Sequence, residues 1–138
     1  MILASSQRLN ADHISKPLTL GAISTSPRTA RVAARSLLIE WYLTELADPV
    51  EQIATELVTN AVQVSAMYTV PPPVEFRLSA TGKTALIEVW DCDPRQPVIR
   101  RPTRPDEGGR GLLLVATMSA QWGWTMLQIG KIVWAEVR

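Results

Sequence analysis

The chain contains one cysteine, Cys92, and one histidine, His13. A lone thiol closes no intramolecular disulfide, which fits a reducing compartment. One thiol and one imidazole also exclude a zinc site of the Cys/His type. Neither sign of charge dominates: 14 Lys and Arg stand against 13 Asp and Glu, a formal net charge of +1. That balance makes no electrostatic case for direct nucleic acid binding or for a membrane surface. No apolar run is long enough to span a bilayer. The richest, Gly111 to Trp124, is broken by Thr117, Ser119 and Gln121. The N-terminus lacks a charged region followed by an apolar core, so no signal peptide is expected and cytoplasm is the expected location.

What is present suits a globular domain. The 138 residues are 46% apolar and 20% charged, enough for one domain with its own core. Residues 1–16 mix polar types without period and read as a flexible N-terminal arm, leaving 17–138 as a single domain. Leu18 to Ser24 suits a short edge strand. Ser26-Pro27 reads as a helix start, Ser as N-cap and Pro at the first helical position. Ala30, Ala33, Leu37 and Trp41 then recur at helical spacing, with Arg28, Arg31 and Arg35 on another face. That basic face is either solvated or a partner surface. Asp48 to Glu51 opens a second helix with a capping-box pattern. Its core stripe is Val50, Ile53, Leu57, Ala61 and Val64.

Val74, Phe76 and Leu78 alternate with Glu75, Arg77 and Ser79, the pattern of a half-buried strand. After a turn at Thr81-Gly82-Lys83, Ala85 to Trp90 is nearly all apolar and reads as a central strand. Asp91 to Gly109 carries four prolines and four arginines. Such a segment is neither helix nor central strand, and a loop this long in a compact domain is usually functional. A short apolar helix from Leu112 follows. A terminal hairpin, Trp122 to Ile129 and Ile132 to Val137, closes the chain around Gly130-Lys131. Strands in hairpins with few helices imply an α+β two-layer sandwich, helices on one face of a mixed, mainly antiparallel sheet.

Three features carry chemistry. Glu56 and Asn60 lie one turn apart on the second helix and project side by side. A carboxylate beside a carboxamide oxygen serves a hard cation and a proton, unless the face is simply solvated. Asp91 ends the apolar strand, where its carboxylate needs a hydrogen-bond donor. The exocyclic amine of a base is one; a local Asp-x-Asp-Pro turn through Asp93 is another. Gly108-Gly109-Arg110-Gly111-Leu112 lets the backbone approach a ligand and opens a helix whose free N–H groups suit phosphate. A flexible hinge explains the same glycines. It is not a P-loop, because no Gly-Lys-Ser/Thr follows.

The order of these features resembles the GHKL (Bergerat-fold) ATPase superfamily. More narrowly, Glu56 to Val62, Val89 to Pro97, Glu107 to Val115 and the tail from Trp122 are similar to the anti-sigma factor serine kinases, as is Ser26 to Leu43. The resemblance runs from about Leu18 to Arg138. It implies that Asn60 coordinates magnesium, that Glu56 is the general base, and that Asp91 receives the adenine amine. It further implies that the amides of Gly109, Arg110 and Gly111 hold the ATP phosphates, with Leu112 lining the pocket and Asp93 on its adenine side. Residues 93–108 become an ATP lid, with Arg110 or Arg104 able to stabilise the transition state. The implied reaction is phosphorylation of a serine on a small antagonist protein by a homodimeric kinase that otherwise holds a sigma factor inactive. A catalytically inactive binding module of the same fold is the alternative. The chain departs from the family pattern at Val64 (commonly His), Asp93 (Gly), Glu107 (Arg in some kinases) and Lys131 (Thr).

Overall fold

The computed structural model describes residues 2–3, 11–99 and 110–138. In chain order the elements are β1 (His13–Ile14), β2 (Leu18–Leu20), α1 (Ser26–Glu40), a 3-10 turn (Thr44–Leu46), α2 (Ala47–Ser65), β3 (Val74–Thr81), β4 (Thr84–Asp91), α3 (Arg110–Met118), β5 (Gln121–Met126) and β6 (Lys131–Val137). The strands form one sheet in the order β1-β3-β4-β6-β5, with β2 also paired to β3. Every pairing among the described residues is antiparallel. Two layers result, helices over one face of the sheet, with β4 at its centre as its apolar run requires. No helix among the described residues is long and apolar enough to cross a membrane.

Side chains alternate across a strand, so each strand feeds two different environments. Val74, Phe76 and Leu78 of β3, Ile87 and Val89 of β4, and Val133 and Ala135 of β6 meet the helices in the main core. The helices answer with Ala30, Ala34 and Leu38 of α1, Ile53, Leu57 and Ala61 of α2, and Val115 of α3. The α1 stripe is displaced by one residue from the expected Ala33 and Leu37, which are half-buried. An Ala-Ala pair offers two equally good seams, and packing selects one. Val64 is likewise half-buried, while Val62 joins the core.

Neither expected N-cap side chain acts as one. Ser26 lies inside the first turn of α1 and its hydroxyl donates to the Gly21 carbonyl at 2.6 Å. Leu46 occupies the N-cap of α2, and Asp48 contributes its charge to the first turn, near the positive end of the helix. α1 ends at Glu40 with Trp41 as C-cap, and Tyr42 follows in the left-handed region at φ 59°. The next amide, Leu43 N–H, then reaches back to the Leu38 carbonyl at 2.8 Å, the closure expected of such a C-terminus.

The outer face of the sheet differs most from its expected half-exposed state. Glu75, Arg77, Ser79 and Glu88 are all buried. Arg77 and Glu88 are direct cross-strand partners, and Arg77 donates from Nε (3.0 Å) and a terminal nitrogen (2.8 Å) to Glu88 Oε1. The other terminal nitrogen donates to the Leu3 carbonyl at 2.5 Å. Glu75 accepts the backbone N–H groups of Ile2 (3.1 Å) and Leu3 (2.9 Å). Leu3 is fully buried against Trp90 and Ile132. Within the segment read as an arm, these two residues lie on the sheet, and His13 stacks on Trp41 with ring centroids 5.1 Å apart. A buried charge is tolerable only when paired and hydrogen-bonded, and the main chain of Ile2 and Leu3 supplies the missing partners.

Candidate functional site

α2 packs against both β4 and α3. That places its polar side, Glu56 and Asn60, against the first turn of α3. The contact is read most directly at Gly111. A Cβ built there stands 2.7 Å from Glu56 Oε2 and 3.4 Å from both terminal atoms of the Asn60 carboxamide. The missing side chain of Gly111 is what gives the two polar groups room. Both residues are half-buried, and no hydrogen bond ties either side chain to a described residue. A carboxylate and a carboxamide therefore face a helix start across a space that any larger residue would fill. Those oxygen donors suit a hard cation such as magnesium, and the N–H groups of the helix start suit phosphate.

A second group of expected residues lies where β4 ends. Asp91 shares the helix-facing side of its strand with Ile87 and Val89, and it is only 3% exposed. Its direct cross-strand partner is Lys131, the first residue of β6, also buried. Lys131 Nζ donates to Asp91 Oδ1 at 2.9 Å and to the Asp93 carbonyl at 3.2 Å. Asp91 Oδ1 also accepts the Asp93 N–H at 2.8 Å, an Asx turn. The sequence left a choice between a base amine and a local turn as the donor to Asp91. The turn is present, together with a lysine that was noted only as a departure.

Gly130 makes this pairing possible. It sits at φ 74°, and a Cβ on it would fall 2.0 Å from the Asp91 carbonyl oxygen. Only glycine lets the β5–β6 turn press so closely on the end of β4.

Burial pushes the Asp91 carboxyl above the usual carboxylate range, against the pull of Lys131 and the Asp93 N–H. Asp93 goes the other way. Burial works to raise it, but Arg95, bonding through its side chain and its backbone N–H, and the charge of Lys131 outweigh burial and hold it low.

The remaining expected residues divide. Leu112 is buried in the main core, where it packs among apolar side chains. Arg110 and Gly111 are the first two residues of α3. Gly109, Glu107, Arg104 and the part of the 93–108 lid beyond Ile99 lie outside the described residues. Lys131 is the residue that sequence reasoning missed. Its signal was faint: a Gly-Lys pair at a hairpin turn, meaningful only once register sets it across from Asp91.

A family model described as the histidine kinase-like ATPase domain matches residues 23–135. Among solved structures, the chain is similar to the RsbU and RsbW domains of Rv1364c from Mycobacterium tuberculosis. The TM-score is 0.65 at 19% identity, over 90% of this chain and 32% of that one. The chain thus spans about a third of that neighbour's length, and the likeness is one of fold. Comparison with curated proteins returns no match.

Proposed function

The chain belongs to the histidine kinase-like ATPase domain family, and on that premise we propose that it is an ATP-dependent protein serine kinase acting as an anti-sigma factor. The observation that carries the reading is the meeting of Glu56 and Asn60 with the glycine that opens α3. A pure interaction surface has no need of a carboxylate and a carboxamide aimed at a helix start.

In this reading Asn60 holds magnesium, which when bound offsets charge on the phosphate oxygens. Glu56 orients the serine hydroxyl of the protein substrate and takes its proton as the oxygen attacks the γ-phosphorus. The bond from that phosphorus to the bridging oxygen breaks, and ADP leaves. The N–H groups at the start of α3 hold the phosphates, and Asp91 receives one N–H of the adenine amine. The protein substrate is a small antagonist of the anti-sigma factor, and a sigma factor competes for the same homodimeric kinase in the cytoplasm. An ATP-binding module that regulates by contact alone is the second reading. It is favoured by Val64, which puts an apolar side chain one turn beyond Asn60.

Two measurements decide. ATP at 100 times its dissociation constant stabilises the wild type by about 2.7 kcal/mol, and Asn60→Ala loses the part that depends on magnesium. A melting temperature indifferent to ATP overturns nucleotide binding. Labelled γ-phosphate passes to an antagonist serine with wild type and not with Glu56→Ala. ATP binding without any transfer leaves the contact-only module.

A further inference from the structure

Asp91 and Lys131 form a buried pair at one end of the site, and their hydrogen bonds are unevenly shared. Asp91 Oδ1 takes two donors, Lys131 Nζ at 2.9 Å and the Asp93 N–H at 2.8 Å. A carboxylate oxygen has two lone pairs in the plane, so Oδ1 is full. No described residue donates to Oδ2. Among the described residues, Ser119 Oγ is the one side-chain polar atom fully enclosed without a partner. Oδ2, also without a partner, is therefore open to its surroundings. Two of the three donors of the ammonium are committed as well. Beyond Asp91 and the Asp93 carbonyl, its nearest acceptor is Asp93 Oδ2 at 3.8 Å.

We propose that Lys131 is a specificity-determining residue that selects adenine over guanine by occupying one oxygen of Asp91. The inference rests on the reading that Asp91 meets the nucleotide base. Adenine presents a single exocyclic amine beside a ring acceptor, and one open carboxylate oxygen satisfies it. Guanine presents two adjacent donors, its ring N–H and its amine, which a carboxylate receives with both oxygens at once. With Oδ1 full, one of the guanine donors is buried without a partner, and that is costly. Lys131 acts through Asp91 and is not itself a contact to the base. Gly130 holds it there, since the turn presses on the Asp91 backbone with no room for a side chain.

The test is the ratio of GTP to ATP dissociation constants, measured by calorimetry with magnesium on wild type, Lys131→Met and Lys131→Gln. Met fills similar space but donates nothing, which frees Oδ1. Gln keeps an N–H donor while removing the charge. Wild type prefers ATP. Lys131→Met narrows that preference about tenfold, the worth of one hydrogen bond to a charged acceptor, and Lys131→Gln retains most of it. A purely structural lysine would lower the melting temperature and weaken both nucleotides alike, leaving the ratio unchanged. A folded Lys131→Met with the wild-type ratio overturns the proposal, as does a wild type that prefers GTP. If Lys131→Met does not fold, Lys131→Ala takes its place, with water against Asp91 that guanine displaces. A wild type that binds neither nucleotide overturns the ATP-binding reading and this inference together, whereas ATP binding with an unmoved ratio overturns this inference alone.

Discussion

The Asp91–Lys131 end of the site and the Glu56–Gly111 end are held by opposite means. At the first, both charged groups are buried, paired and fixed by a turn that only glycine can make. At the second, a carboxylate and a carboxamide stand half-buried, with no hydrogen bond to a described residue. The first is stable because its two charges are paired inside the protein, which leaves only Asp91 Oδ2 without a donor. The second keeps its groups available because they have found no such partner. Recognition of a flat base gains from rigid, satisfied neighbours. Transfer of a proton and a phosphoryl group needs side chains still free to bond what arrives.

The contrast predicts where damage appears. Asp91→Asn removes the closest counter-charge of buried Lys131, leaving it the Asp93 carbonyl and the Asp93 carboxylate at 3.8 Å, so its cost falls on stability. About 3–5 kcal/mol is expected, read as a lower urea midpoint without nucleotide. Asp91→Asn combined with Lys131→Met removes both charges and recovers most of that loss. A cheap single substitution would mean that the pair is more hydrated than its burial indicates.

Glu56→Gln is the mirror case. Its stability stays within about 0.5 kcal/mol of wild type, while the proposed transfer to an antagonist serine falls about 10²–10⁴-fold if Glu56 is the base. A large stability loss there would erase the contrast between the two ends.

Gly111→Ala probes the contact itself. The new methyl group meets the flexible end of Glu56 at 2.7 Å, which the carboxylate can escape by rotating. Helix propensity gains up to about 1 kcal/mol, so stability hardly changes. On the proposed kinase reading, phosphoryl transfer drops because Glu56 has moved.

The smallest effect concerns pH. The Asp93 carboxyl is held below the ordinary value of a free aspartate. A depressed acid contributes stability above its unfolded value and loses it as pH falls through the folded one. Asp93→Asn therefore flattens the stability profile on the acid side of pH 3.8, measured by urea melts across that range. The raised Asp91 carboxyl has the opposite sign, its contribution being lost as pH rises. A profile steeper in Asp93→Asn than in wild type would mean that Arg95 does not outweigh burial.

Local order was legible in the residues alone because each element obeys a short-range period. Strand alternation placed β3 and β4, and the i, i+4 rule put Glu56 beside Asn60. The Arg-Gly start of α3 and the Gly82 and Gly130 turns were also visible. What failed were choices between equivalent neighbours, such as Ala33 against Ala34 as the seam of α1. What stayed hidden was every contact between distant segments. Arg77 and Glu75 look like solvent-facing strand residues until Ile2 and Leu3 lie across them. Lys131 looks like a turn lysine until register pairs it with Asp91.

The chain by itself determined its elements, the polar pair on α2 and the glycines that make room, because these depend on periods of two and 3.6 and on backbone freedom. Only the tertiary structure decided which charges are buried and with whom. Partnership across a sheet or between a helix and a helix start follows from register and packing, and those are set by the whole core at once.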